Sequence, residues 1–166
     1  VAGALYVGNG DATTGIVVQD LTVHGILAIG NSSTVQTPVA IHLKNITNAF
    51  TPNNFGSGTE AGFSGSNMLI EYCNFEGSST TDDPAQLGGT VANNYVTFDH
   101  CTFGANSDLG LEGIGIWNHV TVSNCTAVVG GIGGYYGTGW PADRSPSFVI
   151  SNSTFANNRI LLFAFS

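Results

Sequence analysis

Lys44, Glu71 and Asp99 stand 27 and 28 residues apart in the sequence. In a chain that returns on itself with that period they lie one above another, with neighbouring side chains about 5 Å apart. Two carboxylates so placed match the acid and nucleophile of a retaining glycosidase, and they also suit a calcium ion. A polyuronate lyase would need a basic group beside its acids, and Lys44 is the one cation of the column. The plain alternative is a surface ion pair between Lys44 and Glu71, which would contribute little.

Other residues compete for a role. The run 130–141, Gly-Gly-Ile-Gly-Gly-Tyr-Tyr-Gly-Thr-Gly-Trp-Pro, concentrates aromatics among glycines. Exposed rings can stack on sugars or anchor a protein contact. Trp117, Tyr135, Tyr136, Trp140, Asp143 and Arg144 therefore form a ligand-binding candidate, against the plainer reading of a loop packed on its own layer. Asp82 and Asp83 precede Pro84 in a Ser- and Thr-rich stretch that reads as a solvent turn. His24, His42, His100 and His119 make no spaced ligand set, so no metal site is expected. No Gly-x-Ser-x-Gly motif is present. Of the Asn-x-Ser/Thr sequons at Asn31, Asn45, Asn124 and Asn152, only Asn31 falls in a loop outside the repeat described next, making it the glycosylation candidate.

The elements that must position these residues come from a repeat. Leu21, Ile46, Cys73, Cys101, Cys125 and Ser153 are spaced 25, 27, 28, 24 and 28 residues apart. Apolar residues precede each of these centres by five and by three positions, and most follow by two, with Asn48 the exception. Alternation of this kind is that of strands with one buried face. The phase breaks just before each centre, at Asp20, Asn45, Tyr72, His100, Asn124 and Asn152. Asp, Asn and His best tolerate a left-handed backbone among non-glycine residues, so a sharp bend is expected there. A column of Thr22, Thr47, Asn74, Thr102, Thr126 and Thr154 follows the centres and should face outward. A period near 25 residues predicts a solenoid.

The segments 67–75, 94–103, 118–126 and 147–155 resemble the right-handed parallel β-helix proteins of the pectate-lyase-like fold. The resemblance covers roughly residues 14–158 and implies an all-β, right-handed parallel β-helix; the repeat and the chain length give about six to seven coils in a single domain spanning 1–166. It leaves function open, since the superfamily includes lyases, hydrolases, phage tailspikes and adhesins. Phe-x-x-Asn at 50–53, 103–106 and 155–158 is similar to repeats of bacterial surface adhesins, although their companion Gly-Gly-Ala-Ile element is missing.

Composition narrows the classes. Charged residues make up 8% of the chain, with eleven carboxylates against three Lys and Arg, giving a net charge of −8. A typical domain carries about 25% charged residues. Nucleic acid and anionic lipid are excluded as partners on that balance, and no run is long and apolar enough for membrane insertion. The Thr, Asn and Gly content points to an extracellular or cell-surface protein. The chain starts at Val1 with no initiator Met and reads as a processed or excised segment. Cys73, Cys101 and Cys125 share one inward column, expected to be free thiols acting as small hydrophobes. Both ends are apolar: Leu5, Tyr6 and Val7 at one, Leu161, Leu162, Phe163 and Phe165 at the other. Uncapped strand edges template further pairing, so end-to-end self-association is expected. The leading expectation is a non-catalytic structural β-helix protein, subunit of a filament, sheath or surface layer, with adhesive carbohydrate contacts and no cofactor. The alternative is a polysaccharide lyase, a glycoside hydrolase or a tailspike fragment.

Overall fold

The structure, a computed structural model, describes residues 5–7, 15–29, 40–49, 61–63, 66–76, 85–87, 93–104, 109–114, 117–127, 131–136, 148–156 and 160–164. These residues form strands and no helix. In chain order the strands are β1 (Leu5–Val7), β2 (Val17–His24), β3 (Leu27–Ile29), β4 (His42–Ala49), β5 (Ala61–Phe63), β6 (Ser66–Glu71), β7 (Asn74–Phe75), β8 (Ala85–Leu87) and β9 (Asn93–Asp99). They continue as β10 (Thr102–Phe103), β11 (Leu109–Ile114), β12 (Trp117–Ser123), β13 (Thr126–Ala127), β14 (Gly131–Tyr136), β15 (Phe148–Ser151), β16 (Thr154–Phe155) and β17 (Ile160–Ala164).

Each described pairing is parallel and joins a strand to its equivalent one repeat away. Leu21 is in register with Ile46, Met68 with Val96, and Val120 with both Val96 and Phe148. One sheet runs β1-β3-β5-β8-β11-β14-β17. The other is curled, and its curl has a local cause. β4 pairs with β6 through His42, Leu43 and Lys44, and with β7 through Thr47 and Asn48. Between these two stretches Asn45 takes φ 52°. From the third repeat onward the bend splits one strand into two, as in β6 and β7, β9 and β10, β12 and β13. The result is an all-β, parallel, curled sheet compatible with a β-helix-like fold.

The bend column behaves as its residue types predict, and more uniformly. Asp20, Asn45, Tyr72, His100, Asn124 and Asn152 all have φ between 48° and 56°. A second left-handed column, which the sequence analysis does not predict, lies five positions earlier: Gly15, Ala40, Asn67, Tyr95 and His119, with φ 66°, 58°, 53°, 56° and 53°. In the first five repeats the segment between the two columns is thus bounded by left-handed residues at both ends.

Inward positions build one continuous core. Ile41, Met68, Val96 and Val120 form one buried rank; Leu43, Ile70, Phe98 and Val122 form the next. Phe63 meets Phe75 and Phe98 edge-on at 5.6 and 5.5 Å between centroids, tying the two sheets together. Each such ring buried adds about 1.5–3 kcal/mol. Asn48, the exception in its apolar rank, is fully buried and donates through Nδ2 to the carbonyl oxygens of Gly25 at 2.7 Å and Val23 at 3.4 Å. It thereby fastens the turn after β2.

The three cysteines are buried and unbridged. They also do more than fill space. The bend leaves the N–H of a centre residue facing the next repeat's centre side chain. The Cys101 N–H donates to Cys125 Sγ at 3.4 Å, and the Cys125 N–H donates to Ser153 Oγ at 3.0 Å. Each of these side chains donates in turn to the carbonyl two residues before it: Cys73 to Glu71, Cys101 to Asp99, Cys125 to Ser123 and Ser153 to Ser151, at 3.1–3.4 Å for sulfur and 2.8 Å for the hydroxyl. The neighbouring Cys125 and Cys73 thiols, together with burial, push the Cys101 thiol well above its ordinary value.

Candidate functional site

The outward face between the two left-handed columns collects most of the described chemistry. Alternation from the buried rank at Leu43, Ile70, Phe98 and Val122 turns the flanking residues outward. One outward rank is Val17, His42, Leu69, Thr97, Thr121 and Val149; the other is Gln19, Lys44, Glu71, Asp99, Ser123 and Ser151. Backbone register places Lys44 beside Glu71, Glu71 beside Asp99, and Asp99 beside Ser123.

Both carboxylates are already engaged. Glu71 Oε1 accepts from Lys44 Nζ at 3.2 Å and lies 3.0 Å from His42 Nε2. The Lys44 bond holds the Glu71 carboxyl below its ordinary value, against partial burial and with help from His42. Asp99 Oδ1 accepts from Ser123 Oγ at 2.7 Å and from Asn124 Nδ2 at 2.8 Å, while Oδ2 lies 2.9 Å from His100 Nδ1. Partial burial works to raise the Asp99 carboxyl, but the bonds from Asn124, Ser123 and His100 outweigh it and hold it low. A glycosidase pair needs one carboxyl kept protonated near neutral pH to serve as the acid. Here each environment favours the ionised form.

Aromatic pairs stand at the two bends flanking these carboxylates. Tyr72 stacks on His100 at 4.8 Å between ring centroids with planes 22° apart, and Tyr95 stacks on His119 at 4.6 Å and 15°. These distances follow the spacing of parallel strands, so the rings lie one per repeat along the stacking direction. Lys44 Nζ lies 6.0 Å from the Tyr72 ring centroid, at the outer reach of a cation–π contact. Tyr72 and Tyr95 are 52% and 59% exposed.

Of the sequence candidates, Lys44, Glu71 and Asp99 are brought together as one column. Trp117 opens β12 in register with Asn93, and Tyr135 and Tyr136 lie in β14 in register with Phe163 and Ala164 of β17. Trp140, Asp143 and Arg144 lie outside the described residues, as do Asn31, Asp82, Asp83 and Phe165. Leu5, Tyr6 and Val7 form β1, and Leu161, Leu162 and Phe163 lie in β17; these two strands stand at opposite edges of their sheet. Among the described residues no three His, Cys, Asp or Glu side chains converge as metal ligands. Sequence reasoning missed the engagement of His42 and His100 and the pairing of Tyr95 with His119. The signal was present: Tyr72 and His100 share one repeat position, and Tyr95 and His119 share another.

Comparison of the chain with protein-family models, with curated proteins and with solved structures finds no match.

Proposed function

We propose that this chain is a non-catalytic structural segment: a single right-handed parallel β-helix of about six to seven coils, related to the pectate-lyase-like superfamily, that serves as an extracellular or cell-surface scaffold. The observation that carries the reading is the state of Glu71 and Asp99. They are carboxylates stacked in register on the outward face, and each is bonded to its own neighbours in a way that favours the ionised form. This arrangement suits a bonded surface, and it works against either carboxyl serving as the protonated acid of a glycosidase pair. The low share of charged residues, replaced outside by Thr, Ser and Asn, supports an extracellular setting. The reading invokes no cofactor.

End-to-end association is part of the proposal. Because the described pairings are parallel and repeat one register, a further coil can add by the same backbone bonds, whether it comes from a longer chain or from a second copy. Leu5, Tyr6 and Val7 on β1 and Leu161, Leu162 and Phe163 on β17 would meet in the second case, with Phe165 adjoining. Each backbone group paired instead of left buried and bare avoids about 1–3 kcal/mol. The test has two arms. Electron microscopy and sedimentation of the purified chain should show filaments or linear oligomers that Leu162→Lys with Phe163→Lys disperses. Incubation with neutral and acidic polysaccharides, with and without calcium, should give no turnover. Turnover abolished by Glu71→Gln or Asp99→Asn would establish an enzyme instead.

A further inference from the structure

The bend column carries the tripeptides Asn45-Ile46-Thr47, Asn124-Cys125-Thr126 and Asn152-Ser153-Thr154. As sequence they are alike, and each asparagine is exposed at a left-handed bend. Their surroundings differ in two respects. Asn45 Nδ2 donates to Asp20 Oδ1 at 2.9 Å, and Asn124 Nδ2 donates to Asp99 Oδ1 at 2.8 Å. Each of these amides therefore holds a carboxylate of the preceding repeat. In the repeat before Asn152 the corresponding places are taken by Asn124 and Ser123, and the Asn152 side chain has no hydrogen-bond partner among the described residues. The middle residues differ as well. Ile46 and Cys125 are buried members of the core, whereas Ser153 is half-buried and Thr154 exposed.

We propose that Asn152 is the acceptor of an N-linked glycan and that Asn45 and Asn124 are not. Asn-x-Thr is the acceptor pattern of that modification, and its donor class is a lipid-linked oligosaccharide diphosphate. A bond forms between Nδ2 and the anomeric carbon of the first sugar. The anomeric C–O bond to the diphosphate breaks, the lipid diphosphate leaves with the electron pair, and Nδ2 gives up one proton to the transferase. The product keeps a single N–H on an amide that now bears a bulky ring. At Asn45 or Asn124 that ring crowds the carboxylate the amide holds, and the tripeptide is pinned by an apolar side chain in the core. At Asn152 no side-chain bond of the amide is lost. Lifting its tripeptide into a transferase detaches the Ser153 hydroxyl from the Cys125 N–H, and pulls no apolar side chain of the middle residue out of the core. The sequence points instead to Asn31, because spacing places Asn152 in the repeat and does not say that its amide lacks the acidic neighbour of the other two. The inference rests on the extracellular reading, since N-glycans mark the surfaces of secreted proteins.

The test therefore supplies the export. The whole chain, with Asn31→Gln to silence the loop sequon, is secreted by a glycosylating eukaryotic host behind a host signal peptide. Assembly and turnover of the unmodified chain remain the separate trial of the scaffold reading. Peptide-N-glycosidase should lower the mass of the secreted chain, and peptide mass spectrometry should find its deamidation mark at Asn152, with Asn45 and Asn124 unmarked. Thr154→Ala should abolish the mass change, and Thr154→Ser, which keeps a hydroxyl at that place, should retain it. Asn152→Gln gives the same reading should Thr154→Ala fail to be secreted. A secreted chain without glycan, occupancy of Asn45 or Asn124 equal to or above that of Asn152, or a mass change that survives Asn152→Gln would overturn the proposal.

Discussion

The backbone N–H of Cys101 donates to Cys125 Sγ, 3.4 Å away in the next repeat. Ser153 repeats the arrangement one step further, accepting from the Cys125 N–H at 3.0 Å. The cysteine column is therefore a hydrogen-bonding spine at the bend, where the regular ladder cannot supply a partner. Ser153 shows that a Ser can serve in place of a Cys there, whereas Val at position 125 would leave the Cys101 N–H without this acceptor. We expect Cys125→Ser to lie within about 1 kcal/mol of the parent in urea unfolding, and Cys125→Val to lose about 1–3 kcal/mol because it strands a buried N–H. Equal stability of the two variants would refute the spine.

The same burial makes a chemical prediction. Cys73, Cys101 and Cys125 are each no more than 2% exposed. Reaction of the native chain with a thiol reagent should be negligible, and all three should react after denaturation. Fast labelling under native conditions would place them outside the core.

Ala40 occupies the second left-handed column at φ 58°. An L-residue with a Cβ is strained there by about 1–2 kcal/mol, while glycine adds about 0.5–1 kcal/mol of backbone entropy cost. Ala40→Gly should therefore stabilise by up to about 1 kcal/mol, read from the denaturation midpoint. Gly15, at φ 66° in the same column with open space around its missing Cβ, should lose stability on substitution by Ala for the backbone reason alone.

Asn48 donates to Gly25 O from a fully buried position. Asn48→Ala removes that donor and leaves the turn carbonyl bare, a loss of about 1–3 kcal/mol. Thermal unfolding of this variant should start at lower temperature, with increased protease cleavage after His24.

Glu71 and Asp99 contribute to the acid response. Both carboxyls are held below their ordinary values in the fold. Their contribution is thus fully present above the ordinary carboxyl range, near pH 4, and is lost as pH falls through the lowered values. The melting temperature should be flat from about pH 7 to 5 as far as these groups go, and should fall below about pH 4. Asp99→Asn should lower the plateau by about 1 kcal/mol, or about 2–4 °C, and soften the acid limb. An unchanged acid limb in Asp99→Asn together with Glu71→Gln would remove these groups from the account.

The repeat was legible because two strong constraints recur in one register. Inward positions such as Ile70, Phe98 and Val122 must be apolar, and the bend before each centre must tolerate positive φ, which Asp, Asn and His announce. From those columns alone follow the bend, the outward Thr rank and the stacking of Lys44, Glu71 and Asp99. The second left-handed column was harder to read, because Ala40 and Tyr95 interrupt the Gly15, Asn67 and His119 that suit positive φ. The other sheet escaped for a different reason: β3 follows β2 almost at once, whereas β5 lies well beyond β4, so its strands have no constant spacing to read. Composition and periodicity determine which residues share a column. Only the tertiary structure decides what a column does, since a hydrogen bond from Cys101 to Cys125, or from Asn124 to Asp99, depends on the few ångströms by which one repeat sits over the next.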